Sequence, residues 1–195
     1  MTSPSPEVDH TARRLALKIL IAGGFGAGKT TMVGAISEIQ PLSTEERLTA
    51  AGAHVDSLDG VDGKTTTTVT LDFGRRTLTQ PLPMTLFLFG TPGQDRFDFM
   101  WDELALGAVG GVVLADTRRL AAAFPALDFF EQRRVPFVVA VNQFDNAPHR
   151  YPTHAVRQAL DLPAEVPVVD CDARDPRSVI TVLITLVRHA LATRT

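Results

Sequence analysis

Chemistry in this chain is concentrated in a glycine-rich octet closed by a lysine and a threonine, and in a later Asn-x-x-Asp. The octet, Gly23-Gly24-Phe25-Gly26-Ala27-Gly28-Lys29-Thr30, fits the phosphate-binding loop pattern G-x-x-x-x-G-K-[ST] and follows an apolar, strand-like run. Its glycines let backbone N–H groups converge on a β-phosphate. The next turn, with Thr31, adds its own amides and the positive end of a helix dipole. Lys29 is expected to reach the β- and γ-phosphates and the Thr30 hydroxyl to ligate Mg²⁺. In Asn142-Gln143-Phe144-Asp145 the carboxylate can accept from the N1 and 2-amino donors of guanine, which adenine does not offer. Cys171-Asp172-Ala173 is a third base-site candidate, with the Ala173 N–H placed to meet the guanine carbonyl. Together these segments read as guanine-nucleotide binding.

The elements that must hold them follow from periodicity. Leu15–Ala22 is an apolar run suited to a strand buried on both faces, and residues 29–40 turn helical until Pro41. Residues 41–66 show little periodicity and read as one long connection. Val69–Phe73 alternates like a strand that Gly74 could turn, and Met84–Phe89 is another buried-strand run. Strands are expected at 109–115, 136–141 and 166–169, and helices at 120–134, 153–160 and 178–191. Alternating strands and helices predict an α/β three-layer sandwich, with about six mostly parallel strands and helices on both faces. Both nucleotide motifs fall at the carboxyl ends of strands, where such sheets bind ligands.

Composition narrows the class. The chain has 195 residues, enough for a single domain over residues 13–195 behind a polar tail at 1–12. Its 19 basic and 22 acidic residues include no basic block, which argues against a nucleic-acid partner. The single cysteine, Cys171, precludes an internal disulfide and suits a reducing cytoplasm. No signal peptide, membrane span or lipidation motif is legible, so any membrane role would need recruitment by a partner. His149, His154 and His189 lack metal-ligand spacing.

The order of phosphate loop, threonine run, Gly-Gln segment and Asn-x-x-Asp resembles the Ras-like small GTPases from about residue 15 onward. The segments Lys64–Gly74 and Phe89–Phe97 are similar to the bacterial MglA-like branch, and most of all to actinobacterial conservon (CvnD-like) GTPases. The resemblance implies a signalling switch that binds GTP or GDP with Mg²⁺. It implies three partners: a roadblock/LC7-type protein, a DUF742-type protein and a sensor histidine kinase. It casts Thr68, with Thr67 as the alternative, as the residue touching Mg²⁺ and the γ-phosphate. It casts Gly93 as the γ-phosphate sensor and Gln94 as the residue orienting the attacking water.

Four departures qualify the resemblance. Gly90 stands where Ras-like proteins place a magnesium-shell acid, and bulky Phe25 where they place a small residue. Gln143 replaces a lysine that packs over the base. No arginine stands before Thr68 where MglA-like proteins place a catalytic one, and Arg75, Arg76 and Arg96 read as surface charges. Slow hydrolysis assisted by a partner is therefore expected. The alternatives are a hydrolysis-deficient, nucleotide-gated interaction module and an ATP-dependent enzyme.

Overall fold

Among the described residues, seven strands form one sheet in the order β2-β3-β4-β1-β5-β6-β7. The computed structural model describes residues 15–48, 67–80, 83–92 and 99–193. The strands are β1 (Leu15–Ala22), β2 (Leu42–Leu48), β3 (Thr67–Leu78), β4 (Met84–Gly90), β5 (Ala108–Asp116), β6 (Phe137–Asn142) and β7 (Val168–Cys171). The helices are α1 (Lys29–Ile36), α2 (Phe99–Ala105), α3 (Phe124–Gln132), α4 (Thr153–Ala159) and α5 (Pro176–Ala192). From β4 to β7 the pairings are parallel, while β3 and β2 add antiparallel on one side. This is the expected α/β sandwich.

Alternation along β1 divides the core. Ile19 and Ile21 face a cluster with Met32, Val33 and Ile36 of α1 and Val182, Leu183 and Leu186 of α5. Leu20 and Ala22 face the other layer, with Trp101, Phe129, Phe130 and Val156 from α2, α3 and α4. Trp101 is 4% exposed and meets Phe129 edge-on at 5.0 Å. It is a core residue rather than a partner surface. With β4 on one side of β1 and β5 on the other, the loop leaving β1 opens at the crevice where strand order reverses.

Several expected boundaries shift. The first helix ends at Ile36, short of residue 40, because the Ser37 Oγ donates to Ile39 O (2.7 Å) and accepts from Arg75 N (3.2 Å). The connection expected from residue 41 contains β2, paired with β3 from Leu42↔Phe73 to Leu48↔Thr67. Its sequence lacks apolar alternation, and main-chain pairing makes the strand. Gly74 is no turn; β3 runs through it. A Cβ there would stand 2.7 Å from Val33 Cγ1, so glycine lets α1 lie close on the strand. Pro125 sits in the first turn of α3, and the stretch before it, Leu120–Ala123, winds as a 3₁₀ turn. The last strand starts at Val168, after Pro167, not at 166.

Among the described glycines, Gly111 leaves the least room: an added Cβ would come within 2.3 Å of the Phe130 ring, itself fully buried. Gly111→Ala should therefore lower the free energy of unfolding by about 1–3 kcal/mol, as overpacking does. Chemical denaturation measures this, and an unchanged midpoint would mean that the ring can retreat.

Candidate functional site

The octet bridges β1 and α1 and wraps as its glycines permit. Gly26 and Gly28 adopt φ of 73° and 107°, a region that side chains disfavour. A Cβ on Gly28 would also strike Asn142 Nδ2 at 2.5 Å. α1 then starts with no side-chain cap and no acidic residue in its first turn. Its leading amides are thereby left for an anion. Lys29 curls over the loop, its Nζ donating to Gly23 O (2.8 Å) and Gly24 O (2.9 Å). Burial brings its pKa down to about 8, against the opposing pull of the Asp72 charge.

Asn142, 5% exposed at the end of β6, braces the site. Its Nδ2 donates to Ala27 O (2.9 Å) in the phosphate loop, and its Oδ1 accepts from Ala173 N (3.0 Å) beyond β7. One amide thus joins three loops. The Ala173 N–H, expected to face a base carbonyl, is engaged by Asn142 instead. Gln143 N donates to Cys171 O (2.8 Å), while the Cys171 side chain lies in the core. Burial raises that thiol's pKa to about 11, so it is an inert filler.

These loops enclose a cavity of about 320 Å³ lined by Gly28, Thr31, Gln143, Asp145, Asp172 and their neighbours. The phosphate loop thus shares a wall with the Asp145 carboxylate. Arg174 lies across that carboxylate. Its Nη1 and Nη2 donate to Asp145 Oδ2 (2.5 Å) and Oδ1 (3.2 Å), and its Nε and Nη2 donate to Asp172 Oδ1 and Oδ2 (2.9 Å each). Donation from Arg174 holds Asp145 below the usual carboxylate range and Asp172 at about 2. Behind them, Arg118 stacks on the Phe144 ring at 3.6 Å and donates to Asn146 Oδ1 (2.7 Å). It also forks onto buried Asp116. Burial would raise the Asp116 pKa, but the Arg118 donors outweigh it and hold it low.

At the phosphate end, an acid stands beside Gly90. Asp72 of β3 lies opposite Gly90 in the antiparallel register and is 4% exposed. Its Oδ2 accepts from Thr30 Oγ1 at 2.5 Å, while its buried Oδ1 has no partner. A Cβ on Gly90 would stand 3.1 Å from Asp72 Cβ, so a small residue on β4 makes room for an acid from β3. A hydroxyl hydrogen-bonded to a carboxylate that has one oxygen free is a donor set suited to Mg²⁺, which favours oxygen ligands and is usually shared with nucleotide phosphates. Among the described residues no group of three or more His, Cys, Asp or Glu could hold a metal unaided. No helix of the described residues is long and apolar enough to cross a membrane.

Gly93 and Gln94 lie outside the described residues. Thr68 is placed by its backbone, in β3 opposite Arg47. Sequence reasoning passed over Asp72, Arg174, Arg118 and Arg119, whose Nη2 donates to Phe25 O (2.6 Å) on the phosphate loop. Nothing local in the sequence marks Asp72. It becomes visible once β3 and β4 are aligned and Gly90 is seen to face an acid.

A phosphate loop at the switch point of a largely parallel sheet, with a pocket continuing from its last glycine, defines a nucleotide-binding protein of the phosphate-loop class. Within that class, the chain belongs to the family described as conserved hypothetical ATP binding protein, which matches residues 21–193. No curated protein matches it. The family match corrects the resemblance to Ras-like, MglA-like and conservon GTPases, because the matched family is a distinct phosphate-loop lineage. The threonine run and Gly-Gln segment that carried the resemblance are short, whereas the match spans nearly the whole domain. The roadblock/LC7-type, DUF742-type and histidine-kinase partners had no other support.

Asn142→Ala removes the brace and leaves Ala27 O and Ala173 N without their partner. It should cost about 1–3 kcal/mol of stability and weaken nucleotide binding together. Thermal melts with and without nucleotide measure both, and a variant with full stability would show that the loops hold without the amide.

Proposed function

We propose that the protein binds a guanine nucleoside triphosphate with Mg²⁺ and hydrolyses its terminal phosphoanhydride bond. The observation that carries this reading is the cavity joining Gly28 to Asp145, so that one ligand can place phosphates on the loop and a purine edge on a carboxylate. Hydrogen bonds to a charged acceptor discriminate strongly, and adenine has no N1–H and 2-amino pair to offer Asp145.

Each residue has a task in the reaction. The loop amides and the start of α1 bind the phosphates. Lys29 would exchange the Gly23 and Gly24 carbonyls for phosphate oxygens, which relieves the burial of its charge. Thr30 and Asp72 would hold Mg²⁺, which when bound neutralises charge on the β- and γ-phosphates. Water attacks the γ-phosphorus, the bond to the bridging oxygen breaks, and the diphosphate leaves with inorganic phosphate as the other product. Gln94 is the candidate to orient that water.

A second reading is an ATPase. The description of the family favours it, as does the Arg174 guanidinium that covers Asp145. Calorimetric titration of GDP and ADP in the presence of Mg²⁺ separates the two. Guanine reading requires GDP to bind more tightly, and Asp145→Asn to lose about 10–100-fold in GDP affinity with ADP unaffected. Tighter binding of ADP by the unmutated protein would establish the adenine reading instead.

The metal assignment has its own test. Asp72→Asn should lower the affinity of the nucleotide complex for Mg²⁺ by about 10–100-fold while nucleotide binding without Mg²⁺ stays unchanged. Release of a fluorescent nucleotide during Mg²⁺ titration reads this, and an unaltered Mg²⁺ midpoint would exclude Asp72 as a metal-shell residue.

A further inference from the structure

The Arg174 guanidinium lies in the place where a base should be read. It presents parallel N–H donors to both oxygens of Asp145, at 2.5 and 3.2 Å. Guanine would offer the same carboxylate its N1–H and one 2-amino hydrogen, also as parallel donors in a plane. Both are planar, delocalised N–C–N frameworks, and a carboxylate accepts such a fork in bidentate fashion. The two cannot use the same oxygen lone pairs at once.

A second carboxylate makes this more than a chance surface pair. Asp172 takes Arg174 Nε and Nη2 at 2.9 Å each, and its own side chain is about one-third exposed against 78% for Asp145. The Asp172 contact is therefore the anchored one and the Asp145 contact the outlying one. Arg174 also follows Ala173, whose N–H is fixed by Asn142, so its backbone is tied to the brace. An arginine freed from Asp145 would remain at the mouth of the pocket, held by Asp172.

We propose that Arg174 is an internal competitor for the base-reading carboxylate, a guanidinium that guanine displaces from Asp145 when it binds. It is a specificity-determining residue. It masks Asp145 in the free protein, sets a penalty that falls on guanine and not on adenine, and offsets one of the two adjacent negative charges until guanine binds. This rests on the guanine reading above. Because both partners are more than half exposed, the penalty is that of a surface ion pair, about two- to fivefold in affinity: a gate that is easily opened.

The test uses the full chain with Mg²⁺ and ribose-labelled GDP and ADP, followed at equilibrium and by stopped flow. Arg174→Gln should bind GDP about two- to fivefold more tightly than the unmutated protein, with ADP unchanged. The gain should vanish when Asp145→Asn is already present. Arg174→Lys, which keeps the charge but lacks the fork, should give a smaller gain and shows that the effect does not come from misfolding. Weaker or unchanged GDP binding in Arg174→Gln, or an equal gain for ADP, would overturn the proposal. Equal binding of GDP and ADP by the unmutated protein, with no effect of Asp145→Asn, would show instead that the base reading itself had failed, and the gate with it.

Discussion

The site depends on one buried carboxamide. The Asn142 Nδ2 and Oδ1 each satisfy a main-chain group from a different loop, and an Asn side chain is suited to this because it carries a donor and an acceptor on one rigid plane. Asp at this position would lose the donor, and Leu would lose both. Close approach then imposes a glycine at position 28, since the Asn142 amide occupies the space of a Cβ. That glycine admits the left-handed turn that starts α1 with bare amides. The phosphate loop and the loop beyond β7 are therefore held in one frame by a single side chain.

Legibility in the sequence followed the range of the interactions. β1 was readable to the residue, because a strand buried on both faces leaves a mostly apolar run, here broken by Lys18 alone. The octet was readable because its chemistry is contiguous. β2 was not, since Leu42–Leu48 alternates poorly and owes its structure to pairing with a strand far along the chain. Gly74 was misread as a turn because a glycine required for helix approach looks, locally, like one required for chain reversal. The Asp72 position was hidden for the same reason. Its role exists only in the cross-strand register with Gly90.

The correction of family has a physical basis too. A phosphate loop is a solution to holding a polyanion with backbone amides, and unrelated lineages share it. An Asn-x-x-Asp at a strand end is likewise a few residues answering a geometric need. Short motifs of this kind report what a pocket can hold, while kinship is a property of the whole domain, here residues 21–193. The geometry of Asn142 and Asp145 does not depend on the lineage.

Placement of the acid on β3, opposite Gly90, carries a mechanical consequence. Side chains along a strand alternate, so Asp72 and Gly74 share the face that meets α1, and a shift of β3 by a single residue would turn the carboxylate away from Thr30. The same shift would drive Phe73 or Arg75 against the helix in place of Gly74. Alignment of this antiparallel pair is thus locked twice, by the fit of a bare backbone under α1 and by the short Thr30–Asp72 bond. A one-residue insertion between positions 72 and 74, harmless in many loops, would here set the seating of α1 against the Thr30–Asp72 bond, so that both could not be kept.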